Sequence, residues 1–264
     1  MWRSMKNAVL PFTPFAASQL RLLLAAQIAL AVGCWLAAGQ GVLPSPAELG
    51  KAWLALVRQQ GLLFELWSSV KVLLLALLVS SLLTLAIATA ATAPMFDALA
   101  RLTSSLRFLG FAGLSYVFML MVDDAGELKL LLLVFGITVM MVTAMLAEVR
   151  AIPAQAIEHC KTLGMRHWRI SYELVLLGKA DVFLDLVRQN AAVGWTILAM
   201  VEGLTRSQGG IGALLLNQNR YFQLSGVFAI QLTILFYGLG QDYLLGRLRA
   251  ALCPYAVTHE RASP

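Results

Sequence analysis

Charge is scarce in this chain: of its 264 residues, 13% are charged, against 59% hydrophobic, and the mean hydropathy is +0.77. Soluble domains carry about 25% charged residues. A water-soluble fold of this length would have nowhere to hide so much apolar surface, which leaves the membrane class. Cysteine is also sparse. Cys34, Cys160 and Cys253 are odd in number and far apart, matching neither a zinc spacing nor a disulfide framework, and read as core filler. The histidines His159, His167 and His259 show no metal spacing. No Gly-x-x-x-x-Gly-Lys-Ser/Thr run is present to cradle ATP phosphates, and Gly209-Gly210-Ile211-Gly212 sits in a turn context instead. There is no catalytic constellation. The expectation is a non-enzyme without a cofactor of its own, any chemistry being supplied by a partner.

What is present in quantity is long apolar runs. Alternating runs of about 10 residues, the mark of a membrane β-barrel, are missing. Runs of about 17–25 apolar residues occur over 20–38, 66–91, 106–122, 128–147, 182–204 and 222–244. The expected fold is therefore all-α and polytopic, with about six transmembrane helices. The first run follows Arg3 and Lys6, and Leu30–Cys34 has the look of a lipoprotein cleavage site; its length favours a retained helix. The chain divides into an N-terminal segment 1–19, a membrane domain 20–246 with a loop at 148–181, and a tail 247–264.

Lys and Arg in the short loops set orientation. With the N-terminus inside, Arg3, Lys6, Arg21, Arg101, Arg107, Arg150, Lys161, Arg166, Arg169, Lys179, Arg247, Arg249 and Arg261 fall on the cytoplasmic side. Lys51, Arg58, Lys71, Lys129, Arg206 and Arg220 fall outside. The basic bias, roughly two to one, predicts both termini in the cytoplasm. It makes the net charge of +6 a topology signal rather than a nucleic-acid footprint. Pro44-Ser45-Pro46-Ala47-Glu48 reads as a helix start, with Leu49, Trp53, Leu56 and Val57 following at helical spacing. That predicts either an amphipathic helix lying at the outer interface, with Trp53 and Trp67 nearby, or a plain connecting helix.

The loop 148–181 is basic and too long for a mere connection. Residues 153–163 read as a short helix that Gly164 ends in a left-handed turn. A second short helix over 166–177 would hold Trp168, Ile170, Leu174 and Leu177 against the bundle. A helical hairpin with exposed side chains is shaped to dock into another protein.

On these residues the chain resembles the permease subunits of bacterial ATP-binding cassette importers, which carry a cytoplasmic Glu-Ala-Ala, three residues, Gly motif. Here the Glu-to-Gly spacing is kept in Glu158-His159-Cys160-Lys161-Thr162-Leu163-Gly164. Met165-Arg166-His167-Trp168-Arg169-Ile170 is similar to the continuation in the nitrate/sulfonate/taurine-like subfamily. Val42–Glu48, Gly194-Trp195, Val201-Glu202 and Gly209–Gly212 resemble further features of it. The departures are His159 and Cys160 for the two small residues, and missing prolines at Leu177, near Asp181 and in the third span, which offers Gly110, Gly113 and Ser115.

The resemblance implies a type I importer permease (MetI-like) fold in the bacterial inner membrane, working by alternating access. It implies a coupling loop made by Glu158, His159, Cys160, Lys161, Gly164, Arg166 and Trp168, with Glu158 tied to Arg166 or Arg169. The implied partners are a second copy or a related permease, two ATPase subunits that bind ATP and Mg, an extracytoplasmic substrate-binding protein and the bilayer. The implied substrate is a small anion such as a sulfonate or nitrate. An ATP-independent carrier or channel is the alternative; it would call for an inverted repeat, and the two halves of the chain show no such similarity. An intramembrane enzyme or assembly factor would need a reactive cluster that is hard to find here.

Ionisable groups inside a span are functional candidates by default. In the fifth run Asp185 and Arg188 lie three apart and can pair, and Asn190 and Glu202 add polarity further along. Arg188 facing the pathway would attract an anion; mutual satisfaction of Asp181, Asp185 and Arg188 near the cytoplasmic end is the favoured reading. Ser115 and Tyr116 are mild candidates for lining the path. Gly210 and Gly212 are expected to form a structural turn, and the methionines Met119, Met121, Met140, Met141 and Met145 to fill core.

Overall fold

The structure, a computed structural model, describes residues 17–37, 44–109, 111–205 and 209–254. The N-terminal residues 1–16, Gly110, Arg206 and the tail beyond Pro254, with His259 and Arg261, lie outside the described residues. Among the described residues there is helix and no strand. In order they are α1 (Ala17–Ala37), α2 (Pro46–Gln59), α3 (Leu62–Ala90), α4 (Pro94–Ser105), α5 (Phe111–Met119) and α6 (Ala125–Arg150). There follow α7 (Ala154–Thr162), α8 (His167–Ser171), a π-helical stretch Tyr172–Leu177, α9 (Ala180–Leu204), α10 (Ile211–Arg220) and α11 (Leu224–Leu252).

Three helices, α3, α6 and α11, are long and apolar enough to cross a membrane. At about 1.5 Å per residue each exceeds the hydrocarbon thickness of about 30 Å. Leu74, Leu75, Leu78, Leu82 and Leu83 stand exposed on α3, a surface that suits lipid. α9 is nearly as long, at 25 residues, but is interrupted by Asp181, Asp185, Arg188 and Glu202. The apolar stretch of α1, Leu20–Trp35, is shorter, and its described side chains are exposed apart from the half-buried Trp35, whose Nε1 donates to Pro44 O at 3.2 Å.

A single third span over 106–122 is not what the chain forms. Pro94–Phe108 and Gly113–Met119 meet at 113°. A 3-10 turn at Leu106–Phe108 and extended Leu109 (φ −74°, ψ 124°) stop the helix there. With nine residues, α5 reaches only about 14 Å. The pair makes a fourth span only if counted as one broken helix.

The core lies where α3, α6 and α9 meet, closed by α10 and α11. Leu62, Leu73, Leu132, Leu133, Ile137, Met141, Leu198, Ile211 and Ile230 are almost fully buried there. Small groups let the helices approach: a Cβ on Gly194 would come within 2.7 Å of Leu73 Cδ1, and Ser80 Oγ donates to Val134 O at 3.2 Å. Met141 and Met145 are core as expected, whereas Met119, Met121 and Met140 are exposed. Likewise Cys160 and Cys253 are buried but Cys34 is not, so only two of the three cysteines fill space.

The helix start near Pro46 forms as read. Ser45 and Glu48 make a reciprocal capping box, with Glu48 N donating to Ser45 Oγ at 3.3 Å and Ser45 N to Glu48 Oε2 at 3.1 Å. α2 then lies along α11, where Trp53 Nε1 donates to Thr233 Oγ1 at 3.2 Å.

In the loop before α9, Pro153 caps α7 and Gly164 ends it with φ +74°. Met165 N donates to Cys160 O (3.3 Å) and Gly164 N to Lys161 O (2.9 Å), the paired bonds of a Schellman turn. The second helix turns inward by Ile170 and Val175, and Val175 packs on Ala88 and Met145. Trp168 and Leu177 point outward instead, contrary to the expectation that they hold the bundle. Trp168 lies two residues, and so half a turn, from Ile170. Leu177 would be in phase with Ile170 in an α-helix, but the wider π turn rotates it away. Gly178 allows that turn: its N donates to Glu173 O at 2.8 Å, and a Cβ would meet Leu174 O at 2.8 Å.

Nothing lies within 4 Å of a Cβ added at Gly164, so the only penalty there is conformational. Gly164→Val is expected to cost the hairpin about 1–2 kcal/mol and Gly164→Asn distinctly less, read as faster hydrogen exchange of the α7 and α8 amides. Equal exchange in the two variants would contradict this account.

Candidate functional site

Polar groups in this bundle collect at its two ends. The first end gathers the starts of α3 and α6, the finish of α9 and the start of α10. Glu202 is fully buried there, and Lys129, from the first turns of α6, is 3% exposed. Lys129 Nζ lies 2.5 Å from Glu202 Oε1. Ser69 Oγ donates to the same oxygen at 2.6 Å. Three successive amides at the start of α10 are all taken up: Gly210 N donates to Glu65 Oε2 (2.5 Å), Ile211 N to Ser69 Oγ (3.0 Å) and Gly212 N to Glu202 Oε2 (2.8 Å).

These are donors that no helix can satisfy internally. Carboxylates meet them favourably because the helix dipole is positive at that end. Glycine is demanded by both backbone and space. Gly209 and Gly210 have φ of +66° and +108°, and a Cβ on Gly210 would sit 2.3 Å from the Glu202 carboxylate. A Cβ on Gly212 would sit 2.4 Å from Ala199 O. The structural turn expected at Gly210 and Gly212 is thus a carboxylate cradle as well.

The second end holds the finishes of α3 and α6, the start of α9 and the helical hairpin between α6 and α9. Thr92 and Ser171 hydroxyls meet at 2.8 Å, and Lys179 Nζ lies 2.9 Å from Glu148 Oε2. Asp97 bridges Arg101 and Arg150. The exposed face of the hairpin presents Glu158, His159, Lys161, Arg166 and Trp168, while Cys160 turns inward. Glu158 is tied to neither arginine proposed for it: Arg169 Nε lies 3.8 Å from Glu173 Oε1, one helical turn further on, which leaves Glu158 at the surface. Beside the hairpin a groove of about 560 Å³ runs between Pro94, Ile152, Ile157, Lys161, Trp168 and Leu174.

The candidate path residues do not come together. Asp185 and Glu202 are 17 residues apart on one helix, about 25 Å. Asp185 and Arg188 approach at 3.9 Å, but the main partner of Arg188 is Asp242 of α11, which reading by sequence missed. The two bonds are parallel, Nε to Oδ1 at 2.5 Å and Nη2 to Oδ2 at 2.7 Å. Arg249 Nη1 adds a contact to Asp185 at 3.7 Å. Asn190 is buried and donates to Leu186 O of its own helix at 2.9 Å. Ser115 is half-buried and Tyr116 exposed on α5.

Lys129, Glu65 and Ser69 were also missed as site residues. Lys129 carried a visible signal, a lone cation heading an apolar run, but its partner is 73 positions away and no spacing rule links them. Among the described residues no group of His, Cys, Asp and Glu side chains is disposed to hold a metal ion. No family model matches the chain, and no curated protein matches it.

A buried charge left without its partner is costly, about 3–5 kcal/mol. Lys129→Met is expected to destabilise the bundle by that order, and Lys129→Met with Glu202→Gln by clearly less, because the glutamine leaves no charge unpaired. Denaturant titration of the purified protein, followed by helical circular dichroism, separates the two; a double variant no more stable than the single one would contradict the pairing.

Proposed function

We propose that this chain is the membrane-spanning permease subunit of an ATP-binding cassette importer, coupled to a separate ATPase through the α7–Gly164–α8 hairpin. The carrying observation is that hairpin: a sharply turned pair of short helices at the end of the bundle opposite the buried Lys129–Glu202 pair, with Glu158, His159, Lys161 and Trp168 outward. Its inner side packs by Val175 on Ala88 of α3 and Met145 of α6, so a push on the hairpin is delivered to two long helices of the core. A chain with no phosphate-binding loop must take such a push from a neighbour.

In this reading α1, the bent α4–α5 pair and α9 supply the remaining spans of a six-span subunit, with both termini in the cytoplasm of a bacterial inner membrane. The pathway opens alternately to each side as two permeases rock. A second permease, two ATPases holding ATP and Mg, and an extracytoplasmic binding protein complete the assembly. Arg188, which would attract a small-anion substrate, is held by Asp242, and that counts against such a substrate.

Tagged full-length protein drawn from its native membrane should carry an ATP-hydrolysing subunit with it. Replacing Glu158 and Gly164 together, with Trp168→Ala as a second variant, is expected to remove that subunit while the bundle stays helical. Unchanged association in both variants, or transport by the purified chain alone in liposomes, would sink the proposal.

A further inference from the structure

The Arg188–Asp242 pair forms one flank of a groove of about 370 Å³ between α9 and α11, within the size range of small-molecule sites. Its walls are largely apolar, with Ala191, Ala192, Ile234 and Leu239 among them. The charges beside it cancel. Arg188 and Arg249 face Asp242 and Asp185, two guanidinium groups against two carboxylates, all within 4 Å of a partner. Among the described residues that line the groove, no cation is left over for an anionic ligand.

The groove is also lined by Gln241, whose amide is partnered at one end only. Gln241, 9% exposed, accepts from Trp195 Nε1 at its Oε1 (2.9 Å). That bond fixes which way the amide is turned, because an indole can only donate. Its Nε2 then has no hydrogen-bond partner among the described residues. Buried amide donors are almost always satisfied, so the unmet one marks where an acceptor belongs.

We infer that this groove binds an uncharged, partly apolar small solute through a carbonyl-type oxygen, which accepts from Gln241 Nε2. As the identity of a transported substrate this rests on the permease reading; as a binding site it rests on the groove, the cancelled charges and the orphan amide. A carboxylate or sulfonate of the same shape is disfavoured, since it would bring a net charge into a site whose own charges are already matched.

The test uses the full chain in lipid nanodiscs, together with whatever subunits co-purify, and a matched set of probes: benzamide, benzoate and benzenesulfonate. Saturable binding of benzamide is expected, with both anions at least about tenfold weaker. Gln241→Leu should weaken benzamide about tenfold, the order of a single neutral hydrogen bond. Gln241→Glu keeps the acceptor for Trp195, removes the donor and should weaken it likewise. Ala192→Phe, which fills the groove from its exposed rim, should abolish binding; circular dichroism and gel filtration confirm folding.

Anions bound as tightly as benzamide, no saturable benzamide binding, or wild-type affinity in the folded Gln241→Leu or Ala192→Phe proteins would overturn the inference. So would an Ala192→Cys cross-link between two copies in a preparation that binds no benzamide, which would make the groove a subunit interface. Unmutated protein that binds benzamide but brings no ATP-hydrolysing subunit from its native membrane would instead remove the permease reading and leave the site standing.

Discussion

The bundle is organised around one ion pair that has no access to water. Lys129 and Glu202 are both nearly fully buried and 2.5 Å apart, on helices that are distant in the chain. Either charge alone in that position would be heavily penalised, so the two helices can occupy the core only with these residues opposite each other. The second oxygen of Glu202 and the hydroxyl of Ser69 then cap α10, and Glu65 takes the amide before it. Four helices are thereby held in register by a network whose members each have a partner. Such a network rigidifies the region it occupies when it is fully satisfied.

The opposite end is built differently. There the ion pairs are partly exposed, as with Lys179 and Glu148 or Asp97 and its two arginines, and exposed pairs contribute little to stability. The π-helical stretch and Gly178 break the regular ladder just where the hairpin joins α9, and π turns are often found at functional positions. α9 follows Lys179 at its N-cap and carries Asp185 near one end and Glu202 near the other, so a displacement of its start acts against a fixed anchor about 25 Å away. One stiff end and one more loosely held end is the arrangement that the proposed coupling through a short hairpin would need, so that a push tilts whole helices rather than dissipating locally.

How much of this could be read from the residues depends on range. Local signals carried well: the Ser45–Glu48 capping box, the left-handed turn at Gly164 and the apolar cores of α3, α6 and α11 each follow from neighbours within a few positions. The second hairpin helix was placed correctly and Ile170 does face the bundle, but Trp168 lies half a turn from it and Leu177 is turned away by a π turn, which changes the phase and leaves no mark in composition. The third apolar run failed as a continuous helix because hydropathy records solvent preference and not the backbone break at Leu106–Leu109. Of the candidate site, Glu202 and Arg188 stood out as charges in apolar runs, yet their partners Lys129 and Asp242 lie 73 and 54 positions away. Pairing across such distances is decided by how helices assemble, which a single sequence does not record.

That last point bears on how charge within a membrane chain is interpreted. An arginine in an apolar run invites the thought of an anionic ligand, because an unpaired cation there would be costly. The same cost works on the chain itself, and a carboxylate from a neighbouring helix removes it at least as well. Arg188 is satisfied by Asp242 through two parallel bonds, so what it contributes to a ligand is shape and polarity and no longer net attraction. The recognising group is then the one whose hydrogen bonding is incomplete. At the groove between α9 and α11 that is the amide of Gln241, a neutral side chain that charge-based reading passes over, held in orientation by Trp195. Selectivity at such a site comes from the cost of leaving a buried donor unmet, which discriminates by the presence of an acceptor and the absence of excess charge.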